Sequence, residues 1–135
     1  VGLSGGSDTE EPNLMEYLLL FHSPAEELEH EQGDPAAQAF WESWRAYMGA
    51  IYAAGIVKSG NALKAPFTAT TVRVRDGERQ VHDGPFADTK EMLGGYLVID
   101  VESLDEALVW AARSPSSHVG STEIRPVLSL STSNK

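Results

Sequence analysis

The 135-residue chain fits one domain, and its 41% hydrophobic and 22% charged residues are globular proportions, not disordered or membrane ones. It contains no cysteine, which excludes disulfides, thiolate nucleophiles and cysteine-ligated metals. The net charge of −10 sits mostly at the front: nine acidic residues lie between Asp8 and Asp34, ahead of the first base, Arg45, and from Pro35 onward eleven acids face ten bases.

A nearly neutral body without a basic stripe argues against direct nucleic-acid binding. The acidic front reads as a solubility device rather than a docking segment. No apolar run approaches the roughly 20 residues of a membrane-spanning helix, so no membrane partner is expected. A cytoplasmic location fits this composition.

Residues 1–14 read as a flexible acidic lead, of tag origin in part or a natural extension, without the apolar core of a signal peptide. Met15 to His22 is a short apolar run that reads as a buried strand. Ser23 to Asp34 reads as an acidic loop. Asp34-Pro35 is a helix start: a capping carboxylate, then proline at the first helical position. Phe40, Trp41, Trp44, Tyr47, Met48 and Ile51 follow at helical spacing and form one wide apolar stripe. Gly55 then closes a helix over roughly Pro35–Ala54.

Ile56 to Pro66 reads as an extended connection. Thr68 to Arg75 alternates, Asp76-Gly77 is a hairpin turn because both central positions need positive φ, and Glu78 to His82 returns as the partner strand. Asp83 to Leu93 reads as a loop. Gly94 and Gly95 allow a strand bulge or a close backbone approach, and lead into a strand over Tyr96–Val101. Ser103 and Glu106 have the spacing of a capping box, and Leu104, Ala107, Leu108 and Ala111 form the apolar face of a second helix. Pro115 follows its end. Thr122 to Leu128 reads as the last strand, with Ile124 and Leu128 toward the helices. Residues 129–135 read as a loose tail.

The order of elements implies an α+β fold: a ferredoxin-like antiparallel sheet, two helices on one face and an inserted hairpin. On the other face, Tyr96, Val98, Glu123, Arg125 and Val127 make a half-apolar, half-charged surface. That pattern points to a second copy of the chain, and hence to a homodimer.

Several linked stretches carry a family resemblance. They are Ala69-Thr70-Thr71-Val72-Arg73-Val74-Arg75-Asp76-Gly77, then Asp83-Gly84-Pro85-Phe86-Ala87-Asp88-Thr89-Lys90-Glu91, then Leu93-Gly94-Gly95-Tyr96. Leu104-Asp105-Glu106-Ala107, Trp110-Ala111-Ala112-Arg113 and Glu123-Ile124-Arg125-Pro126-Val127 extend the series. Together these resemble the YCII-related family in its DGPF branch, over residues 15–128. The resemblance implies a dimeric α/β barrel, in which the sheets of two subunits face one another around a shared cavity. Some relatives are linked to extracytoplasmic-function sigma factors. A few resemble lyases of small chlorinated or hydroxylated aromatic compounds, with a His–Asp pair whose His lies on the first helix. Counting back from Gly55, that position holds Trp44 here, and the helix contains no His.

Asp83 is the candidate acid/base group, since a carboxylate in a partly apolar pocket gains a raised pKa suited to proton transfer. An Asx-type turn residue, bonding the amides after it, is the open alternative. Lys90 and Arg125 are candidate anion partners, with Glu123 the competing partner for Arg125 and Asp88 for Lys90. Tyr96 and Trp44 are candidates to line a cavity, and His22 to serve as a base or ligand. Gly84, Pro85 and Phe86, with Gly94 and Gly95, are the structural motif residues, Phe86 as the loop's packing anchor. His22, His30, His82 and His118 lack short ligand spacing, so no metal site is expected. No phosphate loop or dinucleotide fingerprint occurs, so no cofactor is expected.

The function these features imply is binding of a small polar or anionic molecule in a cleft at the dimer interface. The alternatives are a non-catalytic regulatory module of a sigma-factor system, and a lyase-like enzyme acting on small aromatic compounds. Were the chain catalytic, the candidates would fit acid/base chemistry of the lyase or isomerase kind.

Overall fold

The computed structural model describes residues 13–129 except 32 and 88. The expected lead and tail fall almost wholly outside these residues. In chain order the elements are β1 (Met15–Pro24), α1 (Ala25–Leu28), a 3-10 turn (Pro35–Ala37) running into α2 (Gln38–Ala53), β2 (Val57–Ala62), β3 (Thr70–Arg75) and β4 (Glu78–Asp83). They continue with β5 (Glu91–Val101), α3 (Leu104–Arg113), α4 (Ser116–Val119) and β6 (Ser121–Pro126).

Strands β2, β5, β1 and β6 form one antiparallel sheet in that order, and β3 pairs with β4 as a separate two-stranded hairpin. This is the ferredoxin-like order, with the first and third sheet strands of the chain at the centre. The alternation of β1 decides which face is core. Tyr17, Leu19, Phe21 and Ser23 are buried under the helices, while Glu16, Leu18, Leu20 and His22 take the opposite face and are half-buried. Leu97, Ile99 and Val101 of β5 join the core from the same side, as do Tyr47 and Ile51 of α2 and Ala107 and Ala111 of α3. The small residues of α3 let that helix approach the sheet closely.

The helix ends follow local chemistry. The Asp34 carboxylate accepts from the Ala36 amide at 3.0 Å, and Gly55, at φ 75°, donates to the Tyr52 carbonyl at 3.0 Å. Ser103 Oγ accepts from the Glu106 amide at 3.2 Å, and the Glu106 carboxylate accepts in return from the Glu102 amide at 3.0 Å. That is the capping box displaced by one residue on its return bond. At the hairpin, Asp76 (φ 52°) and Gly77 (φ 77°) both take the positive φ of a type I′ turn.

Four boundaries differ from the sequence expectation. The stretch expected as a connection holds β2, an edge strand whose Ser-Gly-Asn interior has little strand propensity; pairing with β5 makes it a strand. β5 begins at Glu91 instead of Tyr96, so Gly94 and Gly95 lie inside it, at a register shift opposite Phe21 and His22. β1 runs on to Pro24 and is followed by the helical turn α1, where an uninterrupted acidic loop was expected. The last strand ends at Pro126, and Leu128, expected under the helices, is 78% exposed. Val127 still donates to the Glu16 carbonyl of β1 at 3.0 Å, but Leu128 lies beyond that last bond to the sheet.

Candidate functional site

The sequence candidates separate onto three parts of the fold. His22, Tyr96 and Arg125 lie on the sheet face away from the helices. There Glu123 takes an Arg125 hydrogen bond at 3.1 Å and stands 3.5 Å from His22 Nε2. Tyr96 lies two strands away in the same row, with Leu20 between it and Glu123, and its hydroxyl accepts from the Asn61 amide at 2.9 Å. Farther along this face Lys58, inserted where β2 shifts register, bonds Glu16 and stands 3.9 Å from Asp100. The Glu16 hydrogen bond, then the Asp100 and Glu16 charges, hold the Lys58 ammonium above the ordinary lysine range.

Asp83 and Lys90 stand elsewhere. Asp83 is exposed at the end of β4, paired with Thr70. The turn after it is fixed through Gly84, which donates to the Ala69 carbonyl at 2.7 Å and accepts from Thr71 Oγ1 at 2.8 Å. Among the described residues the Asp83 carboxylate itself makes no hydrogen bond, so the backbone, not an Asx bond, holds this turn. Phe86 is 74% exposed, with the Arg73 guanidinium 5.2 Å from its ring centroid. Lys90 is exposed just before β5, and Asp88, its expected partner, lies outside the described residues.

Trp44 is on the helix side, and it leads to a cleft of about 360 Å³ between α2 and the ends of β2 and β5. One wall is a second stripe of α2, Trp41, Trp44, Met48 and Tyr52, offset from the Tyr47–Ile51 stripe that enters the core. The aromatic rings support one another edge to face: Phe21 against Trp44 at 5.1 Å, Phe40 against Trp41 at 4.9 Å. The Trp41 indole donates to the Glu31 carbonyl at 3.1 Å, which ties α2 to the loop before it.

The opposite wall is made of missing side chains. Gly60, Gly94 and Gly95 line the cleft. A Cβ on Gly60 would stand 2.5 Å from the Tyr96 carbonyl oxygen, and one on Gly95 3.0 Å from that of Asn61. Gly60 and Gly95 let β2 and β5 approach, while Gly94 makes room for the Leu28 side chain of α1, 2.5 Å from where its Cβ would stand. Arg45, Asn61 and Ser23 are also among its lining residues, though the Asn61 side-chain amide is turned to the Tyr96 hydroxyl on the opposite face.

Among the described residues that line it there is no carboxylate or imidazole. The sequence signalled both walls, as the α2 aromatics and as Gly94-Gly95. It did not signal Gly60, whose role depends on the strand opposite.

A larger groove of about 740 Å³ runs over α2, α3 and α4, past Glu27, His30, Arg113 and His118. It is the more open of the two, so it removes less of a small ligand from water. Tyr47 lies at its floor; burial pushes its phenol well above the usual range, partly opposed by the Arg113 charge, and its hydroxyl donates to the Trp110 carbonyl at 3.0 Å. Among the described residues no three His, Asp or Glu side chains are grouped to hold a metal ion. No helix among them is long and apolar enough to cross a membrane.

Comparison with known proteins gives two findings. The model of the YCII-related domain matches residues 15–131. An uncharacterized protein of Rhizobium meliloti (strain 1021) is 49% identical over 61 residues, 44% of this chain and 49% of that protein. The matched segment therefore spans about half the length of that relative.

Proposed function

The chain belongs to the YCII-related family, and on that premise we propose that it binds a small planar aromatic anion in the cleft between α2 and the β2–β5 edge. The observation that carries this is the wall composition. Trp41, Trp44 and Tyr52 of α2 and Phe21 of β1 line a gap of about 360 Å³ together with Gly60, Gly94 and Gly95. That volume lies within the roughly 300–1,000 Å³ range of ligand pockets. Flat apolar walls select a ring. Arg45 supplies a guanidinium for a carboxylate or phenolate at its edge, and among the described residues it has no ion-pair partner.

The expected polar or anionic ligand thus becomes an aromatic one with an anionic tip. With no carboxylate or imidazole among the described residues of the lining, the reading is binding rather than proton transfer within one chain. An acid/base role for Asp83, with Lys90 nearby in sequence, would require a second copy to bring it to a cleft.

A homodimer belongs to this reading, as does membership of the DGPF branch on Asp83-Gly84-Pro85-Phe86. The open sheet face supports the dimer. Leu18, Leu20 and Val98 form a half-buried apolar strip there, flanked by the His22–Glu123–Arg125 group on one side and Lys58 with Glu16 and Asp100 on the other.

Tryptophan fluorescence tests the cleft, since two of the chain's three tryptophans line it. Salicylate should quench saturably, with a Kd between roughly 1 µM and 1 mM for a ligand of its size. Arg45→Met should weaken it about tenfold or more, the scale of one charge-assisted hydrogen bond, and cyclohexanecarboxylate should bind less tightly than benzoate. Linear, non-saturating quenching that is unchanged by Arg45→Met would sink the reading.

A further inference from the structure

The β3–β4 hairpin is fully laddered from Thr70–Asp83 to Arg75–Glu78, yet all six residues of β4 are exposed. Beyond their mutual pairing, neither strand packs substantially against another element. A two-stranded hairpin alone in water is marginal at best, and three strands or a packed face are needed to hold one. One face of this hairpin is apolar: Val72, Val74 and Val81 are 58%, 61% and 55% exposed.

The register gives that face a self-complementary order. Thr70 is beside Asp83 at the base, Val72 beside Val81 in the middle, and Val74 beside Arg79 toward the tip. Alternation places these six on one side and Arg73, Arg75, Gln80 and His82 on the other. In a twofold contact the same patch meets itself in reverse. Centred on the Val72–Val81 row, such a contact lays valine on valine and sets Arg79 of each copy against Asp83 of the other.

We propose that the hairpin is a dimerisation arm whose Val72–Val81 face packs on the same face of a second copy, with Arg79 and Asp83 exchanged as two ion pairs. This rests on the dimer reading above and deepens it. Interface area favours the second copy as occupant. Strands of 10, 6, 11 and 6 residues make a sheet face of only about 500 Å². Two such faces bury about 1,000 Å² in total, whereas stable interfaces begin near 1,200 Å². A hairpin face adds about 200 Å² per copy, which passes that threshold.

Sedimentation equilibrium on the full chain tests this. Val72→Asp with Val81→Asp should weaken the dimer about a hundredfold or more, since four valines lose their burial. Arg79→Asp alone, setting like charges against each other, should weaken it about tenfold or more, and adding Asp83→Arg should restore it to within about threefold of wild type. Hydrogen exchange of the unmodified protein covers the case in which a variant fails to fold. Amides of residues 70–83 should be protected at dimeric concentrations and exchange freely on dilution. A wild-type monomer at low micromolar concentration would overturn the dimer reading and the arm together. A wild-type dimer whose affinity ignores all three variants, or whose hairpin amides exchange freely while dimeric, would overturn the arm alone and assign the valine face to another macromolecule.

Discussion

Tyr47 shows how one residue joins the core to both helices. Its ring packs with Phe21, Trp44 and Trp110 between α2 and α3, and its hydroxyl satisfies the Trp110 carbonyl. Tyr47→Phe should cost about 0.5–1.5 kcal/mol in urea unfolding, the net worth of one hydrogen bond. The phenol's folded pKa is raised by burial and that of Lys58 by the Glu16 hydrogen bond. In both cases the folded state binds its proton more tightly than the unfolded chain does. The resulting stability is complete below the unfolded values, about 10 for Tyr and about 10.4 for Lys, and is lost as pH rises above them. The melting temperature should therefore fall above about pH 10, and Tyr47→Phe should flatten that fall; a fall equally steep in the variant would show that other groups cause it.

Gly60 carries a steric requirement. Gly60→Ala should destabilise by roughly 1–3 kcal/mol, because its Cβ meets backbone as well as a flexible side chain. Asp76-Gly77 was readable because a turn is local, and Gly94-Gly95 because a glycine pair beside a strand signals a bulge. Gly60 was not, because the Tyr96 carbonyl it accommodates is 36 residues away in sequence.

At the level of elements, α2 and α3 were legible from periodicity and caps, while β2 was hidden. Its sequence offers one valine followed by Lys-Ser-Gly-Asn, and only the β5 ladder makes it a strand. The turn α4 was hidden too. It is held by a cluster of hydroxyls with no sequence periodicity: Ser114, Ser116 and Ser117 all converge on Thr122 Oγ1 at 2.7–2.8 Å, and Ser114 and Ser117 reach the Ala111 carbonyl, each at 2.7 Å. Ser114 and Ser116 are fully buried. Thr122→Val keeps the shape but removes the shared oxygen, so that all three serines lose a partner and buried Ser116 keeps only the Ser114 hydroxyl at 3.2 Å. It should cost about 1–3 kcal/mol, while Thr122→Ser should be nearly neutral in the same unfolding assay.

Across the whole molecule, the ferredoxin-like α+β fold was legible, and the location of the candidate site was only partly so. The DGPF turn, the Tyr96–Arg125 face and Trp44 are close in motif order, yet the fold sends them to a projecting hairpin, an open sheet face and the helix side. Alternation explains the division of the last two. His22 and Phe21 are consecutive, and therefore on opposite faces of β1. What gathers instead is an aromatic stripe over three glycines. A binding role for that cleft requires that it, rather than the polar face, receive a ligand. Amide and indole NMR shifts during a salicylate titration would decide it. The expected result is saturable shifts largest at Gly60, Gly94, Gly95 and the indoles of Trp41 and Trp44. Shifts confined to His22, Glu123 and Arg125, or none that saturate, would contradict it.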